Sequence, residues 1–161
     1  MKIAVLGATG HLGSQFLDQA LDAGHQVVAY VRNPSALTPR KGLTVVRGTL
    51  EDVTALTDAL SGTDVVVVSI MPRIKISAAR KPTDFMQKHL PSILAAVQAV
   101  GARLVLISAN GVGDSAAKGS LPARFAYRTV TKGLFEDKRL SELALKTSSI
   151  DWTVVLPVNL K

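Results

Sequence analysis

The chain has 161 residues, 47% hydrophobic and 19% charged, with 12 Gly, 7 Pro and no Cys. That length fits about one domain able to bury its own core, and without Cys these residues hold no disulfide framework, thiolate metal site or thiol nucleophile. The net charge of +7 suits an anionic partner, while three scattered histidines (His11, His25, His89) argue against a His-rich metal site and 4% aromatics are poor for stacking bases.

Ile3-Ala4-Val5-Leu6 reads as a buried strand. A helix over 11–23 follows, with Leu12, Phe16, Leu17, Ala20 and Leu21 at helical spacing and Gly24 as its stop. Val27 to Val31 is a second strand, broken by Arg32-Asn33-Pro34, and Leu43 to Val46 a short third. The spacing predicts a helix over 52–60 with Val53, Leu56 and Leu60 inward. Val65-Val66-Val67-Val68 is the strongest strand signal, a continuous apolar run of the kind covered on both faces in a parallel sheet. The segment 71–82 is basic, with Arg73, Lys75, Arg80 and Lys81. A helix is expected over 83–100, with Phe85, Ile93, Leu94, Val97 and Val100 on its stripe and a kink or break at Pro91. Leu104 to Ile107 is a strand ending at Ser108, 110–122 a loop, 125–146 a helix carrying Leu134, Leu140, Leu143 and Leu145, and Trp152 to Leu156 the last strand.

This alternation predicts an α/β fold: a single Rossmann-type domain over 1–161, a doubly wound parallel sheet in strand order 3-2-1-4-5-6 with helices on both faces. Ligands of such sheets sit beyond the carboxyl ends of the strands. Met1-Lys2 leads directly into the first strand and no apolar stretch approaches the roughly 20 residues of a membrane span, so no targeting segment is expected and the expected location is cytoplasmic.

Gly7-Ala8-Thr9-Gly10-His11-Leu12-Gly13 is a G-x-x-G-x-x-G turn between the first strand and first helix. Gly7 permits the tight turn, Gly10 lets backbone approach a pyrophosphate, and Gly13 lets the helix pack close to the sheet. The helix N-terminus then turns free N–H groups and its positive dipole end toward the anion. Readers of NAD commonly place a carboxylate at the end of the second strand, but here stands Arg32, a planar guanidinium suited to a 2′-phosphate, with Arg40 or Lys41 in reach to assist. The expected cofactor is NADP, with NADPH preferred over NADH.

Gly7-Ala8-Thr9-Gly10, Val31-Arg32-Asn33-Pro34, Val65 to Ser69 and Asp151-Trp152-Thr153-Val154-Val155 resemble the atypical short-chain dehydrogenase/reductases, in the NAD(P)H-binding, NmrA-like branch with biliverdin and flavin reductases. The resemblance covers most of the chain. It implies Gly7, Thr9, Gly10, His11 and Leu12 on the pyrophosphate, Arg32 on the 2′-phosphate, and Ser69, Ile70 and Met71 beside the nicotinamide ribose. Where relatives often carry an acidic residue beside the adenine, this chain has Thr49-Leu50, so contact there would come from the backbone or the threonine hydroxyl. Ser108 stands where relatives often have a serine near the nicotinamide. It is the candidate catalytic residue, the alternative being that it satisfies loop backbone groups. Asp137 and Glu142 match a structural pattern, and His25 and His89 read as surface positions.

Two departures stand out. The family's tyrosine acid works with a lysine four residues on, but Tyr127 is followed there by Thr131, and Lys132 is rotated by about 100° from that face. Relatives also usually continue further past the Trp-Thr strand, so the domain is expected to be short at its C-terminal end. The resulting expectation is an NADPH-dependent reductase passing hydride to a small conjugated acceptor such as a flavin, quinone or tetrapyrrole. The alternative is a non-catalytic NADP(H)-binding redox sensor, and an epimerase or dehydratase of a nucleotide-sugar is weakest without the Tyr-Lys pair. The basic segment is read as a flap gathering anionic ligands, with no nucleic-acid or membrane partner expected.

Overall fold

The computed structural model describes residues 1–71, 83–108 and 132–157, with side chains from residue 136 onward in the last stretch. Six strands, β1 (Lys2–Leu6), β2 (Gln26–Val31), β3 (Leu43–Arg47), β4 (Val65–Val68), β5 (Arg103–Ile107) and β6 (Trp152–Val155), form one sheet. Their order is β3-β2-β1-β4-β5-β6. Every pairing is parallel, with Ile3 opposite both Val27 and Val65. The described helices are α1 (His11–Asp22), α2 (Val53–Leu60), α3 (Phe85–Val100) and α4 (Lys132–Lys146), with a short 3-10 turn at Pro34–Ala36.

Strand side chains alternate between two cores, as the period of two requires. Ala4, Leu6, Val28, Tyr30, Val66 and Val68 join Leu56 and Leu60 of α2, Leu90, Ile93 and Val97 of α3, and Leu145 of α4. Ile3, Val5, Val27, Ala29 and Val67 join Leu17 and Ala20 of α1. Among the described helices, α1 therefore covers one face and the other three cover the opposite face. None of the described helices is long and apolar enough to cross a membrane.

The structure corrects several expectations. Pro91 does not break α3, which runs through it; the residue lies on the exposed face, where water can serve the carbonyl it leaves unbonded. Asp52 precedes α2 as its N-cap, accepting from Ala55 N at 2.9 Å. Val53, expected inward, is exposed. His89, expected at the surface, is 7% exposed. Residues 72–82 and 109–131, which include the basic flap and Tyr127, lie outside the described residues, as does the predicted start of the last helix.

Candidate functional site

β1 and β4 are neighbours in the sheet, but β1 leads into α1 on one face while the chain after β4 enters α3 on the other. The backbone parts at this switch point. A cleft of about 190 Å³ opens there, lined at its centre by Gly7, Thr9, Gly10, Ser69, Ile70 and Met71. Gly7 sits at φ +94°, and a Cβ on it would strike the Ser69 carbonyl. A Cβ on Gly13 would strike the Gly7 carbonyl, so α1 can approach β1 this closely only with glycine there. Gly10 donates to the Gly7 carbonyl at 2.9 Å and caps α1 without a side chain. The first-turn amides of α1 have no helical partner by construction and present the positive dipole end. The bare glycine cradle and uncapped amides fit a diphosphate. His11 is exposed and Leu12 half-buried at the start of the same turn.

One flank of the cleft belongs to the end of β2 and the chain between β3 and α2. Arg32 is exposed there and is the one Lys or Arg among the described lining residues. Arg40 cannot assist it as expected, because its guanidinium is tied to Asp18 and Asp22 of α1, and Lys41 is exposed away from the lining. Tyr30, 4% exposed, donates its hydroxyl to the Thr49 carbonyl at 3.0 Å, and Gly48 leaves room for that ring. Burial, then the Asp52 charge, raises the Tyr30 phenol above its usual value.

Glu51 extends the same wall, a residue the sequence reading did not single out. Its carboxylate lies 3.7 Å from His89 Nε2 and 3.8 Å from Lys88 Nζ. Its own backbone N–H, then the Thr49 hydroxyl, then His89 and Lys88 hold the Glu51 carboxyl below the usual range, against a desolvation effect that raises it. His89 meets Phe85 edge to face at 4.7 Å, and both rings line the cleft. No local sequence signal marks His89 as inward; the contact joins α3 to the connection between β3 and α2.

Ile70 also borders a second, smaller crevice with Met86, Leu106, Ser108, Lys138 and Ser141. Its free space is about 10 Å³, near that of a single water. Ser108 is 6% exposed, and its Oγ donates to Glu142 Oε1 at 2.6 Å. The hydroxyl proton points at that carboxylate, so in this arrangement Ser108 offers lone pairs, not a proton, to the crevice. Lys138, also 6% exposed, is one helical turn before Glu142. Burial lowers the Lys138 ammonium, with Glu142 and Asp137 opposing the shift. Sequence reasoning missed Lys138 because it looked for a lysine at a fixed distance from a tyrosine.

Thus the structure brings Gly7, Thr9, Gly10, Arg32, Thr49, Leu50, Ser69, Ile70 and Met71 to one cleft, and Ser108 to the adjoining crevice. No group of three or more His, Asp or Glu among the described residues could hold a metal ion.

A family model described as NAD(P)H-binding matches residues 7–161. The chain belongs to this NAD(P)H-binding family. It is 30% identical over 106 residues to the phenylcoumaran benzylic ether reductase IRL1 of Ginkgo biloba, covering 56% of this chain and 35% of that protein. The chain therefore spans about a third of the length of the curated relatives it matches first. In fold it resembles the anaerobilin reductase ChuY of Escherichia coli O157:H7, with a TM-score of 0.71, 23% identity, and 98% of this chain on 72% of that one. It also resembles a short-chain dehydrogenase/reductase of Veillonella parvula solved with NADP, with a TM-score of 0.78, 16% identity, and 96% of this chain on 68% of that one. The resemblance to the atypical short-chain dehydrogenase/reductases is borne out.

Proposed function

We propose that this NAD(P)H-binding domain is an NADPH-dependent reductase acting on a small conjugated acceptor of the flavin, quinone or tetrapyrrole kind. The observation that carries the NADP preference is Arg32: a guanidinium on the rim of the glycine-loop cleft, with no carboxylate at the end of β2. A fixed fork of donors recognises a phosphoryl group well. The reductase names of the relatives support the reaction type.

Gly7, Gly10 and the first turn of α1 bind the diphosphate, and Arg32 binds the 2′-phosphate. Ile70 lines both the cleft and the crevice. When bound, the dinucleotide supplies hydride, and the two-electron reduction is completed by one proton. Lys138 is placed to hold that proton at Nζ, since burial makes the ammonium a readier donor than an exposed lysine. Glu142 keeps Ser108 oriented and offsets the Lys138 charge. Placement of the acceptor against the cofactor accounts for most of the acceleration.

The test is NADPH oxidation with FMN and with a quinone, comparing wild type, Arg32→Glu and Lys138→Met. Arg32→Glu should raise the KM for NADPH by about ten- to a hundredfold, and Lys138→Met should lower kcat with little change in that KM. Equal KM values in wild type and Arg32→Glu contradict the NADP assignment. Binding without turnover on any acceptor would favour the sensor reading instead.

A further inference from the structure

We infer that Arg40 is a positioning residue for the 2′-phosphate: by gripping Asp18 and Asp22 of α1, it seats the loop that carries Arg32. The inference rests on the NADP reading of the cleft and deepens it, since it names what holds the phosphate-reading loop in place.

Residues 32–42 join β2 to β3 and begin with Arg32 at the cleft. Arg32 is exposed, so where its guanidinium stands depends on how that loop is held. The loop has no helix beyond the short 3-10 turn at Pro34–Ala36. Two of its side chains reach the α1 side of the sheet. Leu37 is half-buried against the core that holds Leu17 and Ala20. Further on, the Arg40 guanidinium donates through one nitrogen to Asp18 Oδ1 and through another to Asp22 Oδ1, the second at 3.0 Å. The Arg40 carbonyl accepts from Leu43 N at 3.1 Å, so the grip sits where the loop turns into β3.

Asp18 and Asp22 stand one helical turn apart, where two carboxylates alone repel. One planar fork of donors satisfies both, a geometry that a point charge does not offer. The same helix bears the uncapped amides at its first turn. Arg40 therefore fastens the loop that reads the 2′-phosphate to the helix that holds the diphosphate, and sets the spacing between the two anion seats. The side chains of Arg40, Asp18 and Asp22 are 38%, 58% and 73% exposed, so the grip is a modest one.

The experiment is calorimetric titration of the whole chain with NADPH and with NADH, read as the ratio of the two affinities. A variant that only unfolds more easily loses both ligands alike and keeps the ratio. Arg40→Ala should lower the wild-type preference for NADPH by about threefold, the scale of a small exposed ion-pair network. Asp18→Asn combined with Asp22→Asn should lower it by a similar factor, since the guanidinium then has no charge to grip. Lys41→Ala, which removes the same charge one residue on, should keep the wild-type ratio. An unchanged ratio in Arg40→Ala overturns the inference and leaves the Arg32 reading standing. Tighter NADPH binding in the double variant also overturns it, because Arg40 would then reach the phosphate itself once freed. An equal drop in Lys41→Ala overturns it in favour of bulk charge. Equal wild-type affinities overturn the NADP reading and this inference with it.

Discussion

Tyr30 shows how much a single side chain can do at this site. In the sequence it is one apolar position of β2; in the fold its hydroxyl crosses to the Thr49 carbonyl and ties β2 to the chain entering α2. Tyr30→Phe should cost about 1 kcal/mol near neutral pH, the net worth of one hydrogen bond. The folded phenol ionises above its usual value, so the unfolded chain loses the proton first. The stability tied to the neutral phenol is therefore intact below about pH 10 and is lost as pH rises through the folded value. Urea melts of wild type and Tyr30→Phe from pH 8 to 11 should show the gap closing upward; a constant gap contradicts this. The same scale explains what the sequence hid. Arg32 and the glycine loop were legible because their chemistry is local to one turn. Glu51 with His89, and Ser108 with Glu142, join residues 38 and 34 positions apart, and no spacing rule announces them.

At the scale of elements, α3 depends on α4. The N-cap residue Asp84 makes no side-chain cap bond. Instead Asp137, fully buried, accepts from Met86 N at 2.9 Å, Gln87 N at 3.0 Å and Gln87 Nε2 at 3.2 Å. A carboxylate at a helix N-terminus answers both orphan amides and dipole. Asp137→Ala should lower stability by about 2–4 kcal/mol, and Asp137→Asn by less because it keeps an acceptor. The check is the urea midpoint at unchanged m value. A loss under about 0.5 kcal/mol for Asp137→Ala would mean the cap is not needed. The sequence marks Asp137 as structural but not what it holds, because Met86 and Gln87 stand 51 and 50 positions away. Pro91 is tolerated inside α3 because the missing N–H matters only where the freed carbonyl is shut away from water. Helix and strand identities were otherwise plain from periodicity, and the ends shifted by a residue or two where caps decided them.

Over the whole molecule, the strand order follows from right-handed crossovers and the reversal between the first and second halves of the chain. That reversal, more than any one residue, makes the cleft, since it sends the backbone after β1 and after β4 to opposite faces. The fold was legible because each strand carries a short run rich in apolar and β-branched residues and each described helix has a buried stripe. The acceptor side was less so, as it depends on contacts between β5 and α4 that come together only in three dimensions. The central claim is that the cleft grips a diphosphate through bare amides and a 2′-phosphate through Arg32. Calorimetric titration of the full chain with NADPH and NADH tests it most directly. The account predicts binding of NADPH at least about tenfold tighter than NADH, with the difference abolished in Arg32→Glu. Equal affinities in the wild-type protein, or heat from neither ligand in a folded sample, would contradict it.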